Sequence, residues 1–256
     1  NLRFKIDNKF ENNIKNKRIT EVKRFAKFLI IKLDKKNFLL IHFGMSGTLH
    51  IIRKNQKKYH TNLSFYHSQE LPKKHNHIEF VFSNFKLIYN DPRRFGFMRY
   101  FSNYIKLKNY LNKYGPEPLS KNFNISYLKK NISKREKNIK NILIDQYIVS
   151  GIGNIYASEI LFYCKINPQK KGSELKVKSF ERIIKFSKYV LNRAILKGGS
   201  SIKNFKNIEL KSGYYQNEFK VYGKDNQQCS NAKCKFKVKK VFISNRSTFY
   251  CKNCQK

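Results

Sequence analysis

Short apolar runs, each about as long as a strand, fill the first hundred positions. FLIIKL (28–33), FLLIHF (38–43), TLHII (48–52), IEFVF (78–82), KLIY (86–89) and FMRYF (97–101) are continuous or alternating in hydrophobicity. Turn residues separate them at 34–37, 44–47, 83–84 and 91–92. Several strands at this spacing predict a β-sandwich or barrel. Residues 53–74 have no period and read as a long basic excursion between strands. Beyond residue 106 the spacing becomes helical. Ile139, Ile142, Leu143 and Tyr147 recur at helical intervals within 138–149, IYASEILFYCKI reads as an apolar helix, and 175–197 as an amphipathic one ended by Gly198-Gly199. Gly115-Pro116-Glu117-Pro118 breaks the chain, and 200–228 is irregular. Near the C-terminus Val238 and Val241 to Ile243 predict one strand and Thr248 to Tyr250 its return, with Asn245, Arg246 and Ser247 at the tip.

That last hairpin is framed by cysteines: Cys229-x4-Cys234, sixteen residues, then Cys251-x2-Cys254. Two close pairs joined by a hairpin-length span suit one tetrahedral, structural Zn²⁺. A ribbon of this size has almost no core, so the metal would supply most of its folding free energy. The fifth cysteine, Cys164, lies in the apolar stretch LFYC and reads as a small buried thiol. This usage fits a reducing compartment better than a disulfide framework.

Apolar residues make up 40% of the 256, enough for a real core. The net charge is +39, which points to nucleic acid first and an anionic membrane surface second. Part of the excess is compositional, because the chain is rich in Lys, Asn, Ile, Phe and Tyr and has no Trp. From Lys203 to Lys256 there are thirteen Lys/Arg against three acids. No apolar run reaches membrane-spanning length and the first residues do not form a signal peptide, so a soluble cytoplasmic protein is expected.

Four further stretches carry candidate chemistry, each with a plainer alternative. Gly151-Ile152-Gly153-Asn154 would open its backbone N–H groups to a phosphate, or serve only as a turn. Asp91-Pro92-Arg93-Arg94-Phe95-Gly96 presents an Arg and a Phe that can wedge a base stack, or is a charged turn with one core Phe. Gly44-Met45-Ser46-Gly47 has an apolar tip that is either exposed or a core Met. Lys27, between Phe25 and Phe28 in a strand-like run, suits acid–base or imine chemistry, or merely snorkels. Arg246 at the ribbon tip suits a polyanion, or is a solvated turn residue.

Taken together, GMSG, KHNH (74–77), DPRRFG, YGPEP (114–118), GIGNIYASE, GGSSIKNF, GYY and the four-cysteine ribbon with NRSTFYC closely resemble the bacterial formamidopyrimidine-DNA glycosylases, from about Phe25 to the last residue. The resemblance implies an α+β, multidomain fold: a β-sandwich over 1–105, a helix-two-turn-helix domain with a lesion loop over 106–224, and a zinc ribbon over 225–256. It implies a monomer that excises oxidised purines such as 8-oxoguanine and formamidopyrimidines from double-stranded DNA and nicks the abasic strand by β,δ-elimination. Lys27 matches the family's catalytic lysine, the proton donor for β-elimination, and Arg246 the ribbon arginine assigned to δ-elimination. Met45, Arg93 and Phe95 match the residues that fill the gap left by a flipped base. His42, His75, Arg135 and Asn154 match DNA-backbone contacts, and Lys203 begins the loop to Tyr214-Tyr215 that covers the flipped base.

Two departures stand out. The first cysteine pair is spaced x4 where the family usually has x2, which is still chelatable. Family members begin, after methionine removal, with Pro-Glu-Leu-Pro-Glu, whose terminal amine attacks C1′ with help from the Glu; this chain starts at Asn1, and alignment at Lys27 implies about thirty further residues ahead of it. As written, the 256 residues are therefore expected not to be a competent glycosylase, with Lys27 supporting weak elimination at a pre-formed abasic site. A gene start set too late, or a fragment of a longer protein, is preferred as the cause over gene decay or an active-site-less DNA-binding protein, because Lys27, Arg93 and Arg246 still stand together. The alternatives are an endonuclease VIII-like glycosylase for oxidised pyrimidines, a non-catalytic DNA-binding remnant and, more remotely, a ribbon protein binding RNA.

Overall fold

The structure is a computed structural model of the chain, described for residues 2–53, 71–200 and 213–256. Most of the predicted basic excursion at 53–74 and the segment containing Lys203 lie outside the described residues. The chain forms two compact units, 1–111 with 200–213, and 112–199 with 214–256.

The first unit is the expected β-sandwich. One sheet contains β1 (Ile19–Phe25), β2 (Phe28–Leu33), β3 (Phe38–His42) and β7 (Phe97–Phe101) in the order β1-β2-β3-β7. The other contains β4 (Thr48–Arg53), β5 (Asn76–Val81) and β6 (Phe85–Asn90) in the order β4-β6-β5. All pairings are antiparallel. Ile31, Leu33, Leu39, Ile41 and Met98 of the first sheet share one core with Tyr89, Leu49, Ile78 and Phe80 of the second. The opposite face of the first sheet is covered too, by α2 (Tyr104–Leu111): Tyr104 packs on Phe38, and Tyr110 on Phe28 and Phe101. Burial on both faces is why 38–41 reads as an unbroken apolar run.

Two elements escape the hydrophobic pattern. Strand β1 is an edge strand with no fully buried residue, rich in Lys, Arg and Glu, so it shows no alternation. Helix α1 (Phe10–Ile14) has five residues and buries only Phe10, too few to show a period.

The second unit packs α3 (Ile125–Ile132), α4 (Ile139–Ile144), α5 (Asn154–Tyr163) and α6 (Val177–Leu196) around one core that includes Leu128, Ile142, Ile160, Ile183 and Cys164. Asn124 and Asn138 cap α3 and α4 by accepting from the N–H groups of Tyr127 and Asn141. Helix α5 is buried enough to enclose an acid. Glu159 accepts the backbone N–H groups of Lys220, Val221 and Tyr222 at 2.7, 3.0 and 2.8 Å, which ties the segment leading into the cysteine ribbon onto the helical core. The ribbon hairpin is β8 (Lys239–Ile243) and β9 (Arg246–Tyr250). Its turn is Ser244-Asn245, both at positive φ (46° and 59°) as a two-residue hairpin requires, so Arg246 opens the return strand opposite Ile243 instead of sitting at the tip.

Glu159→Ala would leave three N–H groups, that of Val221 buried, without their acceptor, a loss of about 3 kcal/mol. Thermal melts of the two proteins should show a drop of several degrees for Glu159→Ala and a smaller one for Glu159→Gln, which keeps one acceptor oxygen.

Candidate nucleic-acid interface and metal centre

In the sandwich, the strand directions bring six distant residues to one end. Strand β2 starts at Phe28, paired with His42 at the end of β3, which pairs with Phe97 at the start of β7. In the other sheet β4 starts at Thr48 and β5 at Asn76, both opposite Asn90 at the end of β6. The turn holding Lys27, the end of β3 with His42, the loop with Met45, the 3₁₀ turn with His75 (Lys73–His75) and the loop with Arg93 and Phe95 therefore share that end.

A buried carboxylate fastens these loops together. Asp91 is fully buried. Its Oδ1 accepts from Ser46 Oγ at 2.5 Å, and its Oδ2 from the Gly96 N–H at 2.8 Å and the Tyr89 hydroxyl at 3.3 Å. Its own N–H donates to His75 O, and its carbonyl is 2.9 Å from His77 Nε2. Ser46 Oγ in turn accepts the Arg93 N–H. Gly44 (φ +64°) lies so close that a Cβ there would be 2.5 Å from the Phe95 carbonyl carbon, and one on Gly96 would overlap the Tyr89 hydroxyl. What this packing leaves outside is chemically specific: Met45 is 58% and Phe95 43% exposed, with the Arg93 guanidinium 4.9 Å from the Phe95 ring centre. An apolar tip, an aromatic ring and a guanidinium are held forward on a rigid base.

Beside them His42 stacks on Phe97, with centroids 5.2 Å apart. Burial holds its pKa below the ordinary histidine value, and the charges of Lys27 and Arg3 push the same way. Its Nδ1 accepts the Gly44 N–H at 3.0 Å, so in the neutral ring the proton is on Nε2 and can be donated outward. Lys27 is exposed on the two-residue turn after Ala26 (φ 49°), not inside a strand among apolar neighbours as its sequence context suggested.

In the second unit, α4 and α5 grip the ribbon. Lys140 has no exposed surface, and its Nζ donates to Ser247 O at 3.1 Å and Thr248 Oγ1 at 2.5 Å. Asn154 Nδ2 donates to the same Ser247 carbonyl at 2.9 Å, and Asn141 Nδ2 to Ser244 Oγ at 2.7 Å. Lys140 and Asn154 thereby hold the backbone directly after Arg246, and Asn141 holds the Ser244 side chain two residues before it. Burial, then the Arg246 charge, lowers Lys140 to about 8. The turn between α4 and α5 is stapled by Gln146, which donates to Ile144 O and Ile152 O and accepts the Gly151 N–H. Arg135 stands on the link after α3, exposed, with its Nε on Asn131 O.

The four ribbon cysteines converge. Their sulfurs lie within 4.8 Å of one another, with Cys229–Cys254 at 3.8 Å and Cys234–Cys251 at 3.7 Å. A tetrahedron with metal–sulfur bonds near 2.3 Å has edges of about 3.8 Å, so the cluster can hold a metal ion. The x4 spacing is absorbed by a turn in which Cys234 N–H donates to Asn231 O. Side-chain amide N–H groups of Asn231 and Asn253 donate to the sulfurs of Cys254 and Cys234 at 3.3 and 3.4 Å.

Residues 1–98 match the Formamidopyrimidine-DNA glycosylase N-terminal domain and 114–206 the Formamidopyrimidine-DNA glycosylase H2TH domain. The Formamidopyrimidine-DNA glycosylase of Rickettsia felis is 40% identical over 256 residues, all of this chain and 87% of that one. The enzyme of Rickettsia bellii is 39% identical over 257 residues, covering 100% and 88%. The chain belongs to the formamidopyrimidine-DNA glycosylase family. Among solved structures, a Lactococcus lactis Fpg mutant in complex with Fapy-dG-containing DNA superposes with a TM-score of 0.83 at 31% identity, over 96% of this chain and 86% of that one. MutM in complex with carbocyclic 8-oxo-G-containing DNA gives 0.82 at 31%, over the same shares.

Of the residues this family's motifs single out, the sandwich gathers Lys27, His42, Met45, His75, Arg93 and Phe95, and the grip on Ser247 joins Asn154 to the backbone beside Arg246. Lys203 lies outside the described residues. Asp91, Lys140 and Gln146 escaped sequence reasoning. Each is polar in a stretch that reads as turn or solvated helix, and only the fold shows it enclosed.

Asp91→Asn replaces one acceptor oxygen with a donor and should cost about 1–3 kcal/mol. Hydrogen exchange should show the Gly96 amide opening faster. The pH dependence of stability isolates Lys140. Its folded pKa lies below the ordinary 10.5. Between about pH 8 and 10.5 the unfolded chain thus keeps a proton that the folded chain has lost. Stability should rise with pH through that window, by up to about 3 kcal/mol. Denaturant unfolding at pH 7.5 and 10 should show this rise in the parent chain and not in Lys140→Met.

Proposed function

We propose that this chain acts in the excision of oxidised purines from duplex DNA, its own residues handling the flipped lesion and the cleavage of the strand at the abasic site, with one structural Zn²⁺ in its ribbon; the amine that attacks C1′ is not among the residues assigned a role. The observation that carries the reading is the cluster at the end of the sandwich. Met45, Phe95 and Arg93 project from two loops welded by Asp91. A flipped base leaves two unstacked neighbours and an orphaned partner, a gap that two hydrophobic wedges and one guanidinium can fill. Arg93 would donate to the orphaned cytosine. His42, through Nε2–H, together with His75, Arg135 and Asn154, would hold phosphates. Lys203, in the segment ending near Tyr214-Tyr215, would help cover the extruded base.

For strand cleavage, Lys27 would supply a proton during β-elimination, in which C2′ loses a proton and the C3′–O bond breaks. Arg246, held by the Lys140–Asn154 grip on Ser247, would pair with the phosphate that departs when the C5′–O bond breaks in δ-elimination. Zn²⁺ on Cys229, Cys234, Cys251 and Cys254 has a structural part only: it holds the hairpin that carries Arg246.

Three duplexes separate the steps. On a pre-formed abasic duplex the chain should cleave to both products, and Arg246→Ala should stop at the β-elimination product while binding remains. Of 8-oxoguanine and thymine glycol duplexes, the chain should bind the purine lesion more tightly. Uncut abasic DNA, or a preference for thymine glycol, would sink the reading. Metal analysis should find one zinc per chain, and a chelator should abolish δ-elimination first.

A further inference from the structure

We propose that Phe242, with Lys240, forms a stacking contact for a nucleobase laid bare where the DNA stack is interrupted. The inference rests on the DNA reading above and extends it to a second face of the ribbon.

The hairpin register separates two faces. Val241, Ile243, Arg246 and Thr248 share one, because Val241 pairs with Thr248 and Ile243 with Arg246. That face lies against α4 and α5, where Thr248 meets Lys140. Lys240, Phe242, Ser247 and Phe249 share the other. At its base this second face is supported, since Phe249 packs with Val221 and Val238. Farther out the support ends, and Phe242 is 69% exposed. Its ring is not left to water alone: Lys240 Nζ lies 5.4 Å from the ring centre. A cation held over an exposed ring is the arrangement that meets a base on one side and a phosphate on the other.

Charge selects the partner. From Cys229 to Lys256 there are seven lysines, one arginine and no Asp or Glu. Such a surface repels cationic and attracts polyanionic partners, and an aromatic ring adds a preference for flat π-faces. Stacked bases in an intact duplex offer no free face. An abasic site, a gap or a frayed end does, and cleavage at an abasic site generates a gap beside Arg246. The contact therefore belongs to the damaged or cleaved strand and not to undamaged duplex.

The test compares the full, zinc-loaded chain with Phe242→Leu, Phe242→Tyr and Lys240→Gln. The probes are an intact duplex and the same duplex with a one-nucleotide gap flanked by 2-aminopurine. Phe242→Leu should bind gapped DNA about five-fold or more weakly and lose the quenching of 2-aminopurine, while Phe242→Tyr keeps both. Affinity for intact duplex should be unchanged in both. Lys240→Gln should lower the salt slope of binding by about one. Unchanged gapped-DNA affinity in Phe242→Leu, or an equal loss on intact duplex, would overturn the proposal alone. Failure of the unaltered chain to bind either DNA would overturn the DNA reading with it.

Discussion

The Asp91 carboxylate is the constraint on which the loop-bearing end of the sandwich depends. Short loops carrying Met45 and Phe95 at their tips would ordinarily bury those side chains and let the backbone relax. Here the hydrogen bonds from Ser46, Gly96 and Tyr89 converge on one enclosed anion, and the loops close against each other with no room for a Cβ at Gly44 or Gly96. The exposed side chains cannot collapse inward because the space beneath them is already filled. The cost of exposing an apolar tip is met by the connected polar network under it, which is worth keeping only if every member is satisfied.

The ribbon follows the same logic with the opposite charge. A buried lysine and the Asn154 amide hold the Ser247 carbonyl beside Arg246, and the Asn141 amide holds the Ser244 hydroxyl. Enclosing Lys140 beside Arg246 is electrostatically unfavourable, and the lowered lysine pKa is the sign of that strain. The arrangement keeps the guanidinium exposed while its backbone is immobilised. A cation preorganised in this way loses little freedom when it meets an anion.

Much of this was legible in the chain. Continuous apolar runs gave the central strands, glycine pairs marked helix ends, and the cysteine spacing predicted a convergent cluster that the fold assembles. The wording of GMSG, DPRRFG and GIGNIYASE placed the chain in its family, and the first two pointed to Met45, Arg93 and Phe95. What stayed hidden was burial of charge. Lys140 sits in KNIKNILID, where a lysine reads as the wet side of a helix, and Asp91 precedes a proline, where it reads as a turn starter. Edge strand β1 was hidden for the converse reason, because a strand with no enclosed face leaves no hydrophobic period. Lys27 was misplaced by its neighbours: Phe25 and Phe28 are indeed strand residues, but the two residues between them turn the chain.

The most direct measurement is hydrogen exchange of the full chain with and without a duplex carrying a reduced abasic site. Protection is expected at 26–28, 42–47 and 91–97 in the sandwich and at 242–248 in the ribbon, with little change along β1 and β5. Protection of the β1 and β5 edges, with 42–47 and 91–97 exchanging as in the free protein, would contradict the account.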